Sequence, residues 1–515
     1  MTQVLLLAKE PNQLQLMGRL SKLINDSGVK CSIILVDYFT YTYGGEFISK
    51  VRKESKCEIF TTEHLFKSWQ VGSEPATNEQ IIKDYFKVWE GKYSFNRSLE
   101  VLLKTDAPTN PYESILRNLS LSEEWKRQSH YDILRWCDDL FSTLNPRLFV
   151  SIDMETLATN AFFEMAQTSD IPFITFLESR IMNRWVARRD LGYGMSLDLQ
   201  QEIFSRDYDP SHNPDVENFI EYFKLINANS YDSYSAQLSL QARKYFSSNK
   251  RYLQKMFFDL STYLIWLARM IKSGRSTRAY RVVRFDQSFR KLPRAEFKRW
   301  LMPYKIRYDD YFISKLEDDT EFFFWSLHDR PEGSGLVLGD GIDEIDTLVN
   351  FSKLLRNKQP NAKILVKENA LMYGIRDKKI YKILLEQKNI VLINPYVSSR
   401  PFIDRSLGVV GISGTVLLEA SILQKPSWAF GKPEFAPILY GSGYEGIDRF
   451  ISECLAFSAY TSNMELKLRK YLKFIFDNST VTDSSLQRTQ EPELQNYNIV
   501  RMLKLIMAEL GTSKL

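Results

Sequence analysis

Ser413, Gly414 and Thr415 stand between two apolar runs in VVGISGTVLLEASILQKPSWAFG, residues 409–431. Together they have the make-up of an anion site. The first amides of a helix lack intrahelical partners and the macrodipole puts partial positive charge there, so a helix opening at this turn attracts phosphate. Gly414 lets a ligand approach the backbone, and the hydroxyls of Ser413 and Thr415 can donate to phosphate oxygens or cap the helix. Glu419 follows about one turn later on the face of Thr415, where a carboxylate can accept hydrogen bonds from ribose hydroxyls. A plain helix cap and a solvated carboxylate would use the same residues.

Other charged groups sit where apolar runs end. KILVKE, residues 363–368, is an apolar run that ends in charged residues, Lys367 and Glu368. FFFWSL, residues 322–327, ends at His328. Since the chain holds only four histidines, one at the end of an apolar run stands out, although a structural histidine fits that place too. Two further runs, residues 148–152 and 172–177, deliver Asp153 with Glu155 and Glu178 with Arg180, for which an acceptor-side role and a structural ion pair are equally open.

These side chains need a scaffold, and its periodicity is that of α/β alternation. Residues 4–8 form an apolar strand, residues 13–27 carry Leu14, Met17, Leu20, Leu23 and Ile24 at helical spacing, and residues 31–36 form a second strand. Such a βαβ opening predicts a parallel sheet. Its first turn lacks Gly-x-Gly-x-x-Gly, which argues against a dinucleotide cofactor there. Residues 322–327, 363–368, 407–412 and 427–430 read as strands of a second sheet, with a helix over 416–423. In open α/β sheets ligands bind beyond the carboxyl ends of the strands, where the polar groups named above lie. Trp69, Trp89 and Trp136 fall on helical faces as core residues, and residues 38–45 (YFTYTYGG) form an aromatic loop or cleft wall.

The segments FWSLHDRPEGSG, ILVKENALMYGIRD and the stretch from NIVLIN to GKPEF together resemble the carboxyl-terminal half of the capsule polysaccharide biosynthesis glycosyltransferases, a group that includes 3-deoxy-manno-octulosonic acid (Kdo) transferases. The family's His-x-x-Pro-Glu is matched by His328, Pro331 and Glu332. Its Gly-Thr, Glu-Ala and Lys-Pro are matched by Gly414, Thr415, Glu419, Ala420, Lys425 and Pro426. Its Lys-Glu-His-Pro is Lys367, Glu368, Asn369 and Ala370 here, so an asparagine replaces the histidine that would face the phosphate. The resemblance implies an α/β fold of GT-B type, with two Rossmann-like domains facing a cleft and a helical connector or insertion. The implied boundaries are an acceptor domain over 1–195, a basic helical connector over 196–315, a nucleotide-sugar domain over 316–450, and helices over 451–515 that pack across the cleft.

It implies as well a nucleotide-sugar donor, CMP-linked in the Kdo case, and a surface glycan, capsular polysaccharide or lipid-linked glycan acceptor. In that reading Lys367, Glu368, Asn369, Ser413, Gly414, Thr415 and Glu419 bind the donor, and His328, Glu332, Glu178 and Asp153 serve the chemistry. No cofactor beyond the donor and no metal site is read, the lysine and helix dipole standing in for a cation. The alternatives are a CDP-polyol phosphotransferase of teichoic-acid type, a nucleotide-sugar epimerase, and a catalytically degenerate glycan- or nucleotide-binding subunit of a capsule assembly complex, which the exchange of His-Pro for Asn369-Ala370 keeps open.

Length and composition agree with such a reading. At 515 residues the chain suits two domains, and 44% hydrophobic with 25% charged residues is ordinary folded-protein composition. Four scattered cysteines and the lack of paired histidines argue against a disulfide framework and a zinc motif, which predicts a reducing cytoplasm. The amino terminus reads as a strand and not as a signal peptide, and no apolar run approaches the roughly twenty residues of a spanning helix. A net charge of +5 over this length does not call for nucleic acid. Basic residues concentrate at 272–299, around Trp185 in residues 181–194, and at 467–473. Peripheral contact with the anionic inner face of a membrane, or with an anionic glycan, is the partner these imply, a solvated surface being the alternative.

Overall fold

The computed structural model describes most of residues 4–225 and 311–511. Stretches including 37–44, 66–76, 106–122, 153–155, 190–196, 329–337, 373–375 and 482–491 lie outside the described residues, as does all of 226–310 except Ser261. The basic run at 272–299, Trp69 and the aromatic loop at 38–44 therefore fall outside. The described residues belong to two compact units, the first drawing on Met1–Gly192 and Ser479–Leu515, the second on Tyr193–Trp266 and Glu296–Asn478.

In the first unit β1 (Val4–Ala8) and β2 (Cys31–Leu35) are buried at every position, as expected of parallel strands covered on both faces. With β3 (Glu58–Thr61), β4 (Leu148–Ser151), β5 (Phe173–Glu178), β6 (Arg184–Arg188) and β13 (Ser479–Val481) they form a seven-stranded sheet in the order β13-β6-β5-β4-β1-β2-β3. The five strands from β3 to β5 run parallel, whereas β6 is antiparallel to both β5 and β13. Alternation along β1 separates two cores. Val4, Leu6 and Ala8 pack with Leu14, Met17, Leu20, Val51, Met502 and Ile506, while Leu5 and Leu7 pack with Trp89, Ile133, Trp136 and Phe162 on the opposite face. Trp89 and Trp136 are thus core residues.

Within the basic run around Trp185, Arg184–Arg188 form strand β6. Trp185 is buried in the first of those cores, Arg184 Nη1 donates to Ser479 Oγ, and Arg189 pairs with Glu509. Those cations hold the later part of the chain, a partnership that their clustering in the sequence does not reveal. The last 65 positions likewise do not act as one layer: helices Ile447–Leu455 and Ser462–Asn478 belong to the second unit, whereas β13 and helix Pro492–Glu509 complete the first. Within Ser462–Asn478, Leu468, Tyr471, Leu472 and Phe474 are buried, Lys470 donates to the Ser205 carbonyl, and Lys473 pairs with Asp477. Among the described residues no helix is long and apolar enough to cross a membrane.

The second unit is built on a six-stranded, all-parallel sheet of β7 (Phe322–Ser326), β8 (Lys363–Lys367), β9 (Ile390–Ile393), β10 (Gly408–Gly411), β11 (Ser427–Ala429) and β12 (Gly441–Ser442), in the order β12-β11-β10-β7-β8-β9. Chain order runs outward in both directions from the boundary between β7 and β10, the doubly wound Rossmann arrangement. On one face Phe323 and Trp325 pack with Leu348, Phe351, Tyr381, Leu384 and Phe450. On the other, Phe324 stacks on Phe402. Both units are Rossmann-like, so the expected fold class stands as two such domains.

Candidate functional site

Because the second sheet is wholly parallel, the carboxyl ends of its strands share one edge. Connections leaving β7 and β10 diverge, so a crevice opens beyond these two strands. The sequence places His328 just past β7, the Ser413-Gly414-Thr415 turn just past β10, and Lys367 at the end of β8, beside β7.

His328 is buried and held on both sides. Its Nδ1 lies 2.7 Å from Glu344 Oε1, and its backbone amide donates to both oxygens of the same carboxylate at 3.1 and 3.3 Å. Glu344 opens helix Glu344–Lys358, whose N-cap Asp343 accepts from the amides of Ile345 and Asp346. A carboxylate in a first helical turn also meets the favourable end of the dipole. The opposite ring nitrogen, Nε2, faces the turn, with Ser413 Oγ at 3.4 Å. A Cβ added to Gly414 would stand 3.4 Å from Nε2. Gly414 has φ −65° and ψ 150°, which any residue adopts, and an added Cβ would only reach contact distance of the imidazole, so neither backbone conformation nor a clash within the fold demands glycine there.

Helix Thr415–Ile422 begins from Gly414 as N-cap, and no side chain caps it. Its first amides are left to solvent or a ligand. Ser413 is fully buried against His328, while Thr415 is half-buried at the first helical position. One turn on, Glu419 is half-buried. Burial pushes its carboxyl above the ordinary glutamate range, against the opposing pull of Lys367 and Arg400, so one carboxylate and two cations share a neighbourhood. Arg400, at the start of helix Arg400–Arg405, is fixed by Asp404 at 2.9 Å and by the carbonyls of Phe223 and Lys224 at 3.0 and 3.2 Å.

Glu368 takes a different place from the one its sequence suggests. Successive residues of an extended chain point to opposite sides, so Lys367 and Glu368 part company at the end of β8. Glu368 is buried and accepts from Arg376 Nε at 2.6 Å, Arg376 Nη2 at 3.0 Å, the Tyr381 hydroxyl at 2.5 Å and the Asn369 amide at 2.6 Å. With its oxygens occupied by protein donors, it braces the loop instead of facing a nucleotide. Arg376 Nη2 further donates to the His328 carbonyl at 2.6 Å, which ties the loop after β8 to the loop after β7. Asn369 is half-buried beside this network, its carbonyl accepting from the Met372 amide at 2.9 Å.

The structure therefore gathers His328, Ser413, Gly414 and Thr415 at one switch point, with Lys367 and Glu419 in mutual electrostatic reach. Glu332 and Asp153 lie outside the described residues. Glu178 ends β5 in the first unit and is exposed. Sequence reasoning passes over Glu344, Arg376 and Arg400. Each looks like an ordinary helix-end or loop charge, and only the distance between Glu344 and His328 in the fold reveals a pair that stands 16 residues apart in the chain.

No protein-family model matches the sequence, and no curated protein does. Among solved structures the chain is similar to the calicheamicin glycosyltransferase CalG4, with 11% identity over 100% of both chains and a TM-score of 0.30. It is similar also to a UDP-GlcNAc 2-epimerase from Neisseria meningitidis bound to UDP-GlcNAc, with 11% identity over 93% of this chain and 100% of that one and a TM-score of 0.25. A third is the beta Kdo 2,7 transferase KpsC of Thermosulfurimonas dismutans, with 12% identity over 66% of this chain and 89% of that one and a TM-score of 0.25. Likenesses this slight do not transfer an activity, and one fold hosts both reaction types.

Proposed function

We propose that the second unit binds the nucleotide of an activated sugar in the crevice beyond β7 and β10, and that the chain transfers that sugar to a glycan or lipid-linked glycan, as a capsule-type glycosyltransferase. The observation that carries this reading is the meeting of an uncapped helix amino terminus with His328 at the switch point of a doubly wound sheet, with Lys367 ending the adjacent strand. Transfer breaks the bond between the anomeric carbon and the phosphate oxygen, so negative charge grows on the departing nucleotide. Lys367 and the amides at Thr415 and Val416 stabilise that charge, and removal of one such donor costs roughly 3 kcal/mol in the transition state. Asn369 supplies a neutral hydrogen bond where the resembled family uses histidine, and Glu419 accepts from the ribose. His328 and Glu332 orient the sugar or exchange protons with it, while the first unit takes the acceptor, with Asp153 and Glu178 on that side. Contact of the basic run at 272–299 with an anionic membrane surface would bring a lipid-linked acceptor within reach.

A second reading has one observation in its favour. Asn369 cannot carry the positive charge a histidine would bring to the phosphate, which suits a subunit that binds the nucleotide without turning it over.

The test is thermal denaturation of the protein against CMP, CDP, UDP, GDP and TDP, repeated with Lys367→Ala and Thr415→Ala. A nucleotide at a hundred times its dissociation constant stabilises by about 2.7 kcal/mol. A response to one base, weakened in both variants, is expected, a cytidine nucleotide favouring a CMP-linked donor. No response to any nucleotide would defeat the transferase reading, and binding without nucleotide release from the matching donor would select the second.

A further inference from the structure

We infer that Glu344 is a positioning residue for His328, holding the imidazole with its proton on Nδ1 so that Nε2 is the ring atom presented to the ligand. The inference deepens the donor-site reading and rests on it for the ligand, though not for the geometry. An ionised carboxylate offers only acceptors, so the 2.7 Å contact between Glu344 Oε1 and Nδ1 requires a proton on Nδ1. The same carboxylate accepts the His328 backbone amide, which leaves it little freedom to swing away. Arg376 fixes the other end of the residue through its carbonyl. Ring, amide and carbonyl of His328 are thus each held by a buried charged side chain, and Nε2 alone looks toward the turn, past a glycine that adds no methyl group beside it.

Order in space is Glu344, His328, Ser413, and the turn Gly411-Ile412-Ser413-Gly414-Thr415 shares the Gly-x-Ser of a serine-nucleophile elbow but has Thr415 in place of its last glycine. The geometry speaks against that use. Ser413 is wholly buried, its Oγ is 3.4 Å from Nε2, and it is not among the residues with positive φ that such a strained elbow requires. Ser413 therefore supports the ring, and the reactive direction from Nε2 is outward to a ligand at the helix amino terminus.

The experiment is nitrogen-detected NMR of the 15N-histidine-labelled full chain, in which four histidines give a spectrum simple enough to assign, the His328 signals being those lost in His328→Gln. The expected result is the Nδ1–H tautomer for His328 in the free protein and in Glu344→Gln, whose amide oxygen can take the place of Oε1. In Glu344→Met, which fills the site without an acceptor, the proton should move to Nε2. With the donor identified above, Glu344→Met should lose roughly 10- to 100-fold in kcat, the scale of losing a partner that orients a ligating histidine, with KM changed much less. Glu344→Gln should recover most of that loss. A wild-type Nε2–H tautomer, or an unchanged tautomer in Glu344→Met, would overturn the inference. So would a loss in Glu344→Met that falls on KM instead of kcat. The tautomer is read without ligand, so failure of every nucleotide to bind would sink the donor-site reading while leaving this one to be decided by the spectrum.

Discussion

Glu419 shows how burial can set a single carboxylate's charge against the fold. Its carboxyl is raised first by burial, and Lys367 and Arg400 offset that rise without cancelling it. A group whose folded pKa lies above its unfolded value contributes stability that is present below the unfolded pKa and fades as pH rises through the folded one. Glu419→Gln should therefore melt close to the parent at about pH 4 and progressively above it toward about pH 8, while binding nucleotide less well. A melting gap that stays flat or closes with rising pH would mean that the carboxylate is not strained in the fold. At this scale the sequence was a partial guide. His328, Lys367, Ser413, Gly414, Thr415 and Glu419 stand out because residue type coincides with the end of an apolar run, a local signal. Glu344 and Arg376 carry no such signal, since what gives them their roles is a partner brought up by the fold. Glu368 misleads for a related reason: adjacency to Lys367 in sequence means opposite directions at the end of a strand.

Among the elements, the two loops that follow β7 and β8 depend on one arginine. Arg376 is buried, bonds Glu368 through two nitrogens, and holds the His328 carbonyl. Replacing it by alanine leaves Glu368 as a buried charge without its cation, a change that typically costs about 3–5 kcal/mol. Urea unfolding of Arg376→Ala should show a loss of that order in the second unit, whereas a loss below about 1 kcal/mol would place the pair in solvent screening instead. The strands themselves were largely legible. Runs such as Val4–Ala8 and Cys31–Leu35 are buried at every position and, Ser32 apart, apolar, because both faces of a parallel sheet are covered, and their bounds follow closely from where the apolar residues stop. Arg184–Arg188 was not legible, because Arg184 and the adjoining Arg189 bond to groups 295 and 320 residues further along the chain. No local pattern distinguishes such a strand from a basic loop.

On the scale of the whole molecule, chain order and spatial order part company at Ser479. Helix Pro492–Glu509 buries Ile499, Met502, Leu503, Ile506 and Met507 against the core that holds Leu14, Met17 and Leu20. Ile506→Ala in the full chain should cost about 2–5 kcal/mol, and calorimetry should assign the loss to the first unit alone. Stabilisation by nucleotide, which the proposed donor site assigns to the second unit, should persist. Equal loss from both transitions would show that the units do not melt independently. The pairing of β13 with β6 has a further consequence, for the order of events while the chain is being made. Domains tend to fold as they emerge, at about 5–20 residues per second. β6 must then wait for a partner strand that appears only after the whole second unit has been synthesised, so for some tens of seconds the nascent first sheet carries an open edge and an uncovered apolar helix. The unit begun first is the one finished last.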